Sequence, residues 1–584
     1  MLRAALIVVL GFIAFGSMLT SPFRFMDDRL SIVENPLIKS TANLPELFRE
    51  GYFHDRSYYR PLINLSFMAE YHLFGLKSFF YNLDNLILHI LNAFLVVLLV
   101  SRLTNNLQIG FWTGFLFVMH PVQWEAVCNV PGRAILLSAF FELSSFVLFL
   151  EFNRRRQWML LPLVLGAFFL SLLCKESAGV LPLVIMAYLA LDQGKSWGQK
   201  LQSLWPFAAA IMAYMGLRQY FGITHLHQSS QPMLVILGFM TFLRSVITDL
   251  RLFILPVDLH YDRSLPFMMS LRQPEALATA IFWIIALGFI MAYIRRIPLF
   301  VIFLMAWFIL ELLPVSQLVA SIGVGAGHIS TAEHFLYLAS IPVFTGLVMA
   351  ARWCYEKNFL NPVLWKLAVG GFLAFLLLIS IEQSIYASNE YTMISRSLSY
   401  EPYNARLQAE MAMLSVSRHD ILDAEKHFRA ATLAEPLNPK FHAGLGTTLC
   451  QQGRWIEGME QFVAFEPIEK DKASVERQEK ITIRHIQAQL AGGKNFNARG
   501  WLAIGIYYAK IGQNKQAIAA FLNTVQLNPV QPDAWFNLGS LYEADHNWPA
   551  AQDAYQKLLT LHDITDFQRD FATQHLAYVE IHHR

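Results

Sequence analysis

Residues 2–38 read LRAALIVVLGFIAFGSMLTSPFRFMDDRLSIVENPLI, an apolar run followed closely by the adjacent acids Asp27 and Asp28. The run from 4 to 20 is either a cleaved leader, with Arg3 as its basic flank and Gly16 and Ser17 as small residues near a cut, or the first of several membrane helices. The acids favour retention. Carboxylates are costly among lipids but stable in a wet pocket at the bilayer surface, and the preceding helix is what would hold them there. Read locally, the pair is a helix N-cap followed by an acid in the first turn. Read functionally, one carboxylate stays ionised as a base or binds a cation.

Of 584 residues, 55% are hydrophobic, 14% aromatic and only 15% charged, too little charge to cover a water-facing surface. The net charge of +2 averages an apolar N-terminal part and an ordinary soluble C-terminal part, so it carries no message about nucleic acid. Cys128, Cys174, Cys354 and Cys450 show no metal-ligand spacing and are too few for a disulfide framework, which leaves them as packing residues. The expected fold is all-α, with a polytopic membrane domain over 1–384, a linker over 385–404 and a helical repeat domain over 405–584.

Hydropathy places about eleven spans, near 4–20, 85–101, 109–119, 134–151, 157–174, 178–191, 204–220, 275–294, 298–313, 335–352 and 363–382, with 109–119 expected to extend a turn at each end. The apolar stretch 233–256 carries Arg244, Asp249 and Arg251, and is read as an interfacial or re-entrant helix. With the N-terminus inside, Arg102, Arg154 to Arg156, Lys195 with Lys200, Arg295 with Arg296, and Arg352 with Lys357 all fall on the cytoplasmic side, as the positive-inside rule requires. A crossing at 233–256 would break that pattern. The outer face then receives the long loop 21–84, the turn His120 to Arg133, the turn Cys174 to Ala178 and the loop Leu313 to Glu333. An odd number of spans leaves the C-terminal repeats outside too, in a periplasm or lumen.

Trp501, Gly505, Tyr508, Ala517 and Phe521 recur as Trp535, Gly539, Tyr542, Ala551 and Tyr555, a 34-residue period with the tetratricopeptide pattern. Small residues let paired helices approach, and aromatics fill the groove between repeats. Two weaker copies precede, one with Ala424, Phe428, Ala431 and Pro436, the other with Leu445, Gly446, Gly458 and Phe462. The repeats are expected near 405–438, 439–472, 498–531 and 532–565, with an extra helix at 473–491. A binding module of this kind points to a protein or glycan acceptor.

The outer segments hold the polar motifs. Arg60 follows Tyr58 and Tyr59, and its fixed guanidinium either orients carboxylates or holds an anion. Asn82, Asn85, His89 and Asn92 share one face of the second span, where interhelical hydrogen bonds are the simpler reading. His120, Glu125 and Arg133 lie in the second outer segment, Lys175 and Glu176 in the third, Glu333 and His334 in the fourth. Singly, each acid and cation is a snorkelling ion pair at a span end. Together they outline a charged pocket for a phosphate-bearing substrate and a base.

The order of Asp27-Asp28 with IVENPLI (32–38), YRPL (59–62), His120 to Val127 with Gly132-Arg133, Lys175-Glu176 and EHFLYLAS (333–340), followed by tetratricopeptide repeats, resembles the transmembrane and TPR-containing O-mannosyltransferase family. The resemblance implies a GT-C glycosyltransferase fold and transfer of sugar from a polyprenyl phosphate, with inversion, on the periplasmic or lumenal face. It implies Asp28 or Asp27 as the catalytic carboxylate, Arg133, Lys175 and His334 at the donor phosphate, and Arg60, His120, Glu125, Glu176 and Glu333 in support. His334 stands where that family usually has Arg, Trp124 where it often has Thr, and Ile135 where an acid commonly follows, so mannose itself is not carried over. No cofactor is expected beyond the lipid-linked donor, and a divalent metal would require both aspartates and Glu125 to converge. The rival readings are a non-catalytic repeat-bearing scaffold for envelope assembly, a flippase, and an O-antigen ligase or polymerase.

Overall fold

The computed structural model describes residues 1–24, 27–52, 58–155, 157–223, 232–318, 323–325, 328–464 and 472–583. Arg156, Phe25, Met26, parts of the loops 21–84 and 313–333, and residues 465–471 of the second expected repeat lie outside them. The chain divides into two compact units, Met1–Leu407 and Gln408–Arg584.

All eleven apolar segments of the N-terminal unit are helical. Six helical stretches are long and apolar enough to cross a membrane: Leu2–Thr20, Ser78–Thr104, Val130–Arg155, Pro274–Tyr293, Glu333–Glu356 and Pro362–Ala387. The protein is therefore an integral membrane protein. Leu107–Met119, Trp158–Leu172, Glu176–Ala190 and Leu299–Val315 are apolar but shorter, and Trp205–Tyr220 forms a further helix. At 1.5 Å per residue a 13-residue helix covers about 20 Å, less than a bilayer core. The segment expected to extend at both ends stops at Met119, because His120 precedes a proline and adopts an extended conformation. At its start, Asn106 accepts from the N–H groups of Gln108 and Ile109.

The polar stripe of the second span is structural. Asn82 donates to Ser21 O at 3.1 Å, Asn85 to Asn129 O at 2.8 Å, and Asn92 to Leu136 O at 2.9 Å. The His89 Nδ1 lies 2.9 Å from the Tyr337 hydroxyl. Such bonds fix helix packing where lipid offers polar groups no partner.

The 233–256 stretch is the helix Pro232–Leu252. Its buried positions Leu237, Thr241, Phe242, Ser245, Val246 and Asp249 recur at helical spacing, giving one inward face. The chain then forms a small antiparallel sheet in which Ser264–Pro266 pairs with His328–Ser330, and the latter with Gly323–Gly325. These three-residue strands are too short for alternation to reveal them in the sequence.

Residues 385–404 do not form a linker. The last long helix runs to Ala387 and is followed by Glu390–Tyr400, capped by Asn389 and burying Met393, Ile394 and Ser397. Burial of one face of this amphipathic helix extends the N-terminal unit to Leu407.

In the C-terminal unit, Ile421–Ala434, Pro439–Gln451, Trp455–Val463, Ala498–Lys510, Asn514–Leu527, Pro532–Ala544 and Trp548–Thr560 supply the repeat helices, with Lys472–Ala491 as the extra helix. A Cβ on Gly505 would lie 2.5 Å from the Phe521 ring, so the period keeps glycine where paired helices touch. Asp566–His583 closes the array by packing Phe571 and His575 against Tyr555.

Candidate functional site

Asp28 is 1% exposed, near the start of the loop 21–84. Its Oδ2 accepts the Arg24 N–H at 2.8 Å. Its Oδ1 meets no hydrogen-bond partner among the described residues. Burial pushes this carboxyl up to about 7, and the Arg24 guanidinium and N–H oppose the rise. The side chain caps no helix: it bonds an amide upstream and none in the turn that follows.

Asp27 is held differently. Its Oδ2 accepts the Tyr261 hydroxyl at 3.3 Å, and Arg406 Nη2 lies 3.5 Å from its Oδ1. The same guanidinium reaches Asp262 Oδ1 through Nη1 at 3.6 Å. Asp262 occupies the left-handed region at φ 57°, which Asp tolerates better than most side chains. Its buried Oδ2 has no hydrogen-bond partner among the described residues, and burial pushes its carboxyl up to about 7 against the pull of Arg406.

The turn His120 to Arg133 meets the chain at Glu333 and His334. Pro121 starts a short helical turn that carries Trp124 and Glu125 inward. Glu125 accepts the His334 N–H at 3.0 Å, and its Oε1 lies 3.1 Å from His334 Nδ1. Burial would raise Glu125, but the His334 ring and the amides facing it outweigh burial and hold it below the usual carboxylate range. Trp124 Nε1 donates to Glu333 Oε2 at 2.7 Å. The other Glu333 oxygen accepts from Arg263 Nε at 3.0 Å, Arg263 Nη2 at 2.9 Å and the His260 N–H at 3.2 Å.

In the third segment, Arg60 donates to Glu176 Oε2 from Nε at 3.1 Å and Nη2 at 2.9 Å, and its guanidinium sits 4.7 Å from the Tyr58 ring centroid. Arg60 thus orders the loop through Glu176. Lys175 is half-buried; its Nζ lies 5.7 Å from the Phe335 ring centroid and makes no hydrogen bond or ion pair among the described residues. Burial, then Arg60, lowers its ammonium to about 7.

Two expected site residues are committed elsewhere. Arg133, expected at the donor phosphate, is fully buried. Its Nη1 meets Asp84 at 2.7 Å and Glu70 at 3.2 Å, its Nη2 meets Glu70 and the Tyr81 carbonyl at 3.0 Å each, and its Nε donates to Asn85 at 2.6 Å. All five guanidinium N–H groups are used, so Arg133 is held in an internal ion pair that ties its helix to Glu70, Tyr81 and Asp84. His120 accepts the Val122 N–H at 3.2 Å and bonds the Phe253 carbonyl at 3.1 Å. Burial lowers it to about 3, which makes it a neutral tether between loops.

Asp28, Asp27, Asp262, Glu125, His334, Glu333 and Lys175 therefore form one electrostatically connected cluster. Among the described residues no three His, Cys, Asp or Glu side chains converge as a metal-ligand group. Sequence reasoning missed Tyr261, Asp262, Arg263 and Arg406. The signal was the run DLHYDR at 258–263, five polar or titratable side chains in six residues of an otherwise apolar half.

The tetratricopeptide repeat family model matches residues 502–564. The protein O-mannosyl-transferase Tmtc1 of Drosophila melanogaster is 30% identical over 176 residues, covering 29% of this chain and 20% of the relative. TMTC3 of Mus musculus, also a protein O-mannosyl-transferase, is 33% identical over 162 residues, 26% of this chain and 17% of its own. Drosophila Tmtc2 is 28% identical over 306 residues, 48% of this chain and 32% of its own. The matches thus span between 17% and 32% of these relatives' length. A solved Archaeoglobus fulgidus oligosaccharyltransferase is 13% identical over 69% of this chain and 58% of its own, with a TM-score of 0.40, too distant to define the fold. The chain is thus an all-α membrane protein with a tetratricopeptide-repeat C-terminal unit, similar to relatives that carry the protein O-mannosyl-transferase name, the TMTC proteins.

Proposed function

We propose that this protein is a GT-C-type membrane glycosyltransferase that moves a sugar from a polyprenyl phosphate to a protein or glycan hydroxyl on the periplasmic or lumenal face, with inversion. The observation that carries this reading is Asp28: a buried carboxyl in the loop after the first helix, with one oxygen unpartnered among the described residues and a carboxyl that burial pushes up to about 7. A base poised near the working pH transfers protons with the best balance of population and driving force.

Asp28 takes the proton of the acceptor hydroxyl as its oxygen attacks the anomeric carbon from the face opposite the phosphate. The anomeric C–O bond breaks, and the electron pair leaves with the polyprenyl phosphate. Lys175, a half-buried cation whose Nζ makes no ion pair among the described residues, meets that growing charge. His334 assists through the ring edge turned away from Glu125, while Glu125 fixes the ring from Nδ1. Asp27 orients, Arg60 and Glu176 order the loop, and Glu333 ties Trp124 to Arg263. The tetratricopeptide unit supplies acceptor binding.

The test is transfer by the purified full-length protein from synthetic polyprenyl phosphate mannose and glucose, with the corresponding diphosphates alongside. Use of monophosphate donors, abolished by Asp28→Asn, supports the reading. Use of diphosphates alone moves the protein to the ligase and polymerase reading. Absence of transfer, with intact envelope modification in cells carrying Asp28→Asn, leaves the scaffold reading.

A further inference from the structure

Two adjacent aspartates in a buried site need a device that separates their roles. Neither the sequence pattern nor the family resemblance says which is the base. The arginines of the loops are largely engaged elsewhere: Arg133 by Glu70 and Asp84, Arg60 by Glu176, Arg263 by Glu333, and Arg24 by the carbonyls of Cys128 and Ala387. Arg406 reaches Asp27 directly, at 3.5 Å, and bridges to Asp262 at 3.6 Å.

Arg406 is placed by a built strap. From Ser397 to Arg406 the chain runs along residues 260–264 and holds them at four points. Ser397 Oγ accepts the Tyr261 N–H at 3.0 Å. Glu401 accepts from His260 Nε2 at 3.1 Å and from the Ser264 N–H at 2.7 Å and hydroxyl at 2.5 Å. Asn404 donates to the Asp262 carbonyl at 3.4 Å and to Glu401 at 3.2 Å. Arg406, in the first turn of the helix Ala405–Ser417, supplies the fourth contact, to the Asp262 carboxylate. The loop so held also presents the Tyr261 hydroxyl to Asp27 at 3.3 Å.

We propose that Arg406 is a positioning residue: clamped by this strap, its guanidinium joins Asp27 to Asp262, fixes the orientation of the Asp27 side chain, and leaves Asp28 as the proton acceptor. Contacts of 3.5 and 3.6 Å are charge contacts that fix orientation without consuming the carboxylate lone pairs. An opposite charge at this range lowers a neighbouring carboxyl by about 1 to 3 units, so Arg406 also sets how acidic the cluster is. Arg406, Glu125, Asp27 and Glu401 act most strongly on Asp262, Arg406 against its burial and the three acids with it, and Arg24, Asp27 and Glu390 act most strongly on Asp28.

The inference rests on the glycosyltransferase reading, and its test separates the two. Full-length Arg406→Gln and Arg406→Lys are assayed with polyprenyl phosphate mannose over pH 5 to 9, beside wild type and Asp28→Asn. The expected result for Arg406→Gln is a kcat at least tenfold lower, a donor KM within twofold of wild type and an acid limb moved to higher pH, with Arg406→Lys recovering most of the loss. Unchanged kcat and pH profile in Arg406→Gln overturn the inference, and so does a tenfold rise in donor KM at constant kcat, which would make Arg406 a donor contact. If wild type transfers nothing, the function reading fails and an infrared titration of the carboxyl band assigned through Asp262→Asn still decides. A midpoint about one unit or more higher in Arg406→Gln supports the clamp, and an unmoved midpoint overturns it.

Discussion

Asp28→Asn separates chemistry from folding, because the two effects have opposite signs. Raising the carboxyl from 3.8 to about 7 is worth roughly 4 kcal/mol in favour of the neutral form. The folded state then binds more protons than the unfolded chain between about pH 4 and 7, so the group's contribution to stability falls as pH rises through that window and stays at its minimum above it. Asparagine keeps the acceptor for the Arg24 N–H, is neutral at every pH, and places an amide where Oδ1 has no partner, a cost of about 1 to 3 kcal/mol. In detergent, Asp28→Asn therefore melts at or above the wild-type temperature at pH 8, and its advantage shrinks or reverses at pH 5. Transfer moves the other way, falling by about 10²- to 10⁴-fold, or roughly 3 to 5 kcal/mol of barrier. Melting curves that keep a constant offset from wild type between pH 5 and 8 would refute the buried-acid argument. Transfer at near wild-type rate would refute Asp28 as the base and make Glu125 the next candidate.

Arg133→Ala strips the counter-charge from Glu70 in a buried site, and the expected outcome is a loss of about 3 to 5 kcal/mol of stability, read as poor yield and a lowered melting temperature; a well-folded variant with only a raised donor KM would restore Arg133 to the phosphate site. Lys175 loses its charge as pH rises through about 7, so donor KM rises on the alkaline side in wild type and stays flat in Lys175→Arg. With Asp28 requiring the opposite, kcat/KM is bell-shaped and centred near neutrality. Cysteines at Ser31 and Gln513 are labelled by an impermeant maleimide from outside, and one at Arg155 only after the membrane is breached; labelling at 513 only after breaching removes the eleven-span topology.

The membrane helices were legible because twenty apolar residues have few other fates, and the repeats because a fixed period of Trp, Gly and Ala leaves a signature in any single chain. The polar stripe from Asn82 to Asn92 was also readable, since helical spacing alone puts those side chains on one face. The partners of Arg133 were not. Glu70 and Asp84 lie 63 and 49 residues upstream, and nothing in Gly132-Arg133 says whether the guanidinium faces inward to them or outward to a phosphate. The strap was hidden for a related reason. Residues 397–406 carry the polar, serine-rich look of a linker, yet Ser397, Glu401, Asn404 and Arg406 each find a partner about 140 residues earlier. Such long-range pairing in a loop follows from the fold, and no local rule encodes it.

The measurement closest to the central claim is single-turnover transfer by purified protein in nanodiscs, with polyprenyl phosphate mannose and a mixed serine- and threonine-containing peptide acceptor, wild type against Asp28→Asn. The account predicts sugar on the peptide, free polyprenyl phosphate in equal amount, and loss of both in the variant while donor binding persists. Equal transfer by the two proteins would contradict it.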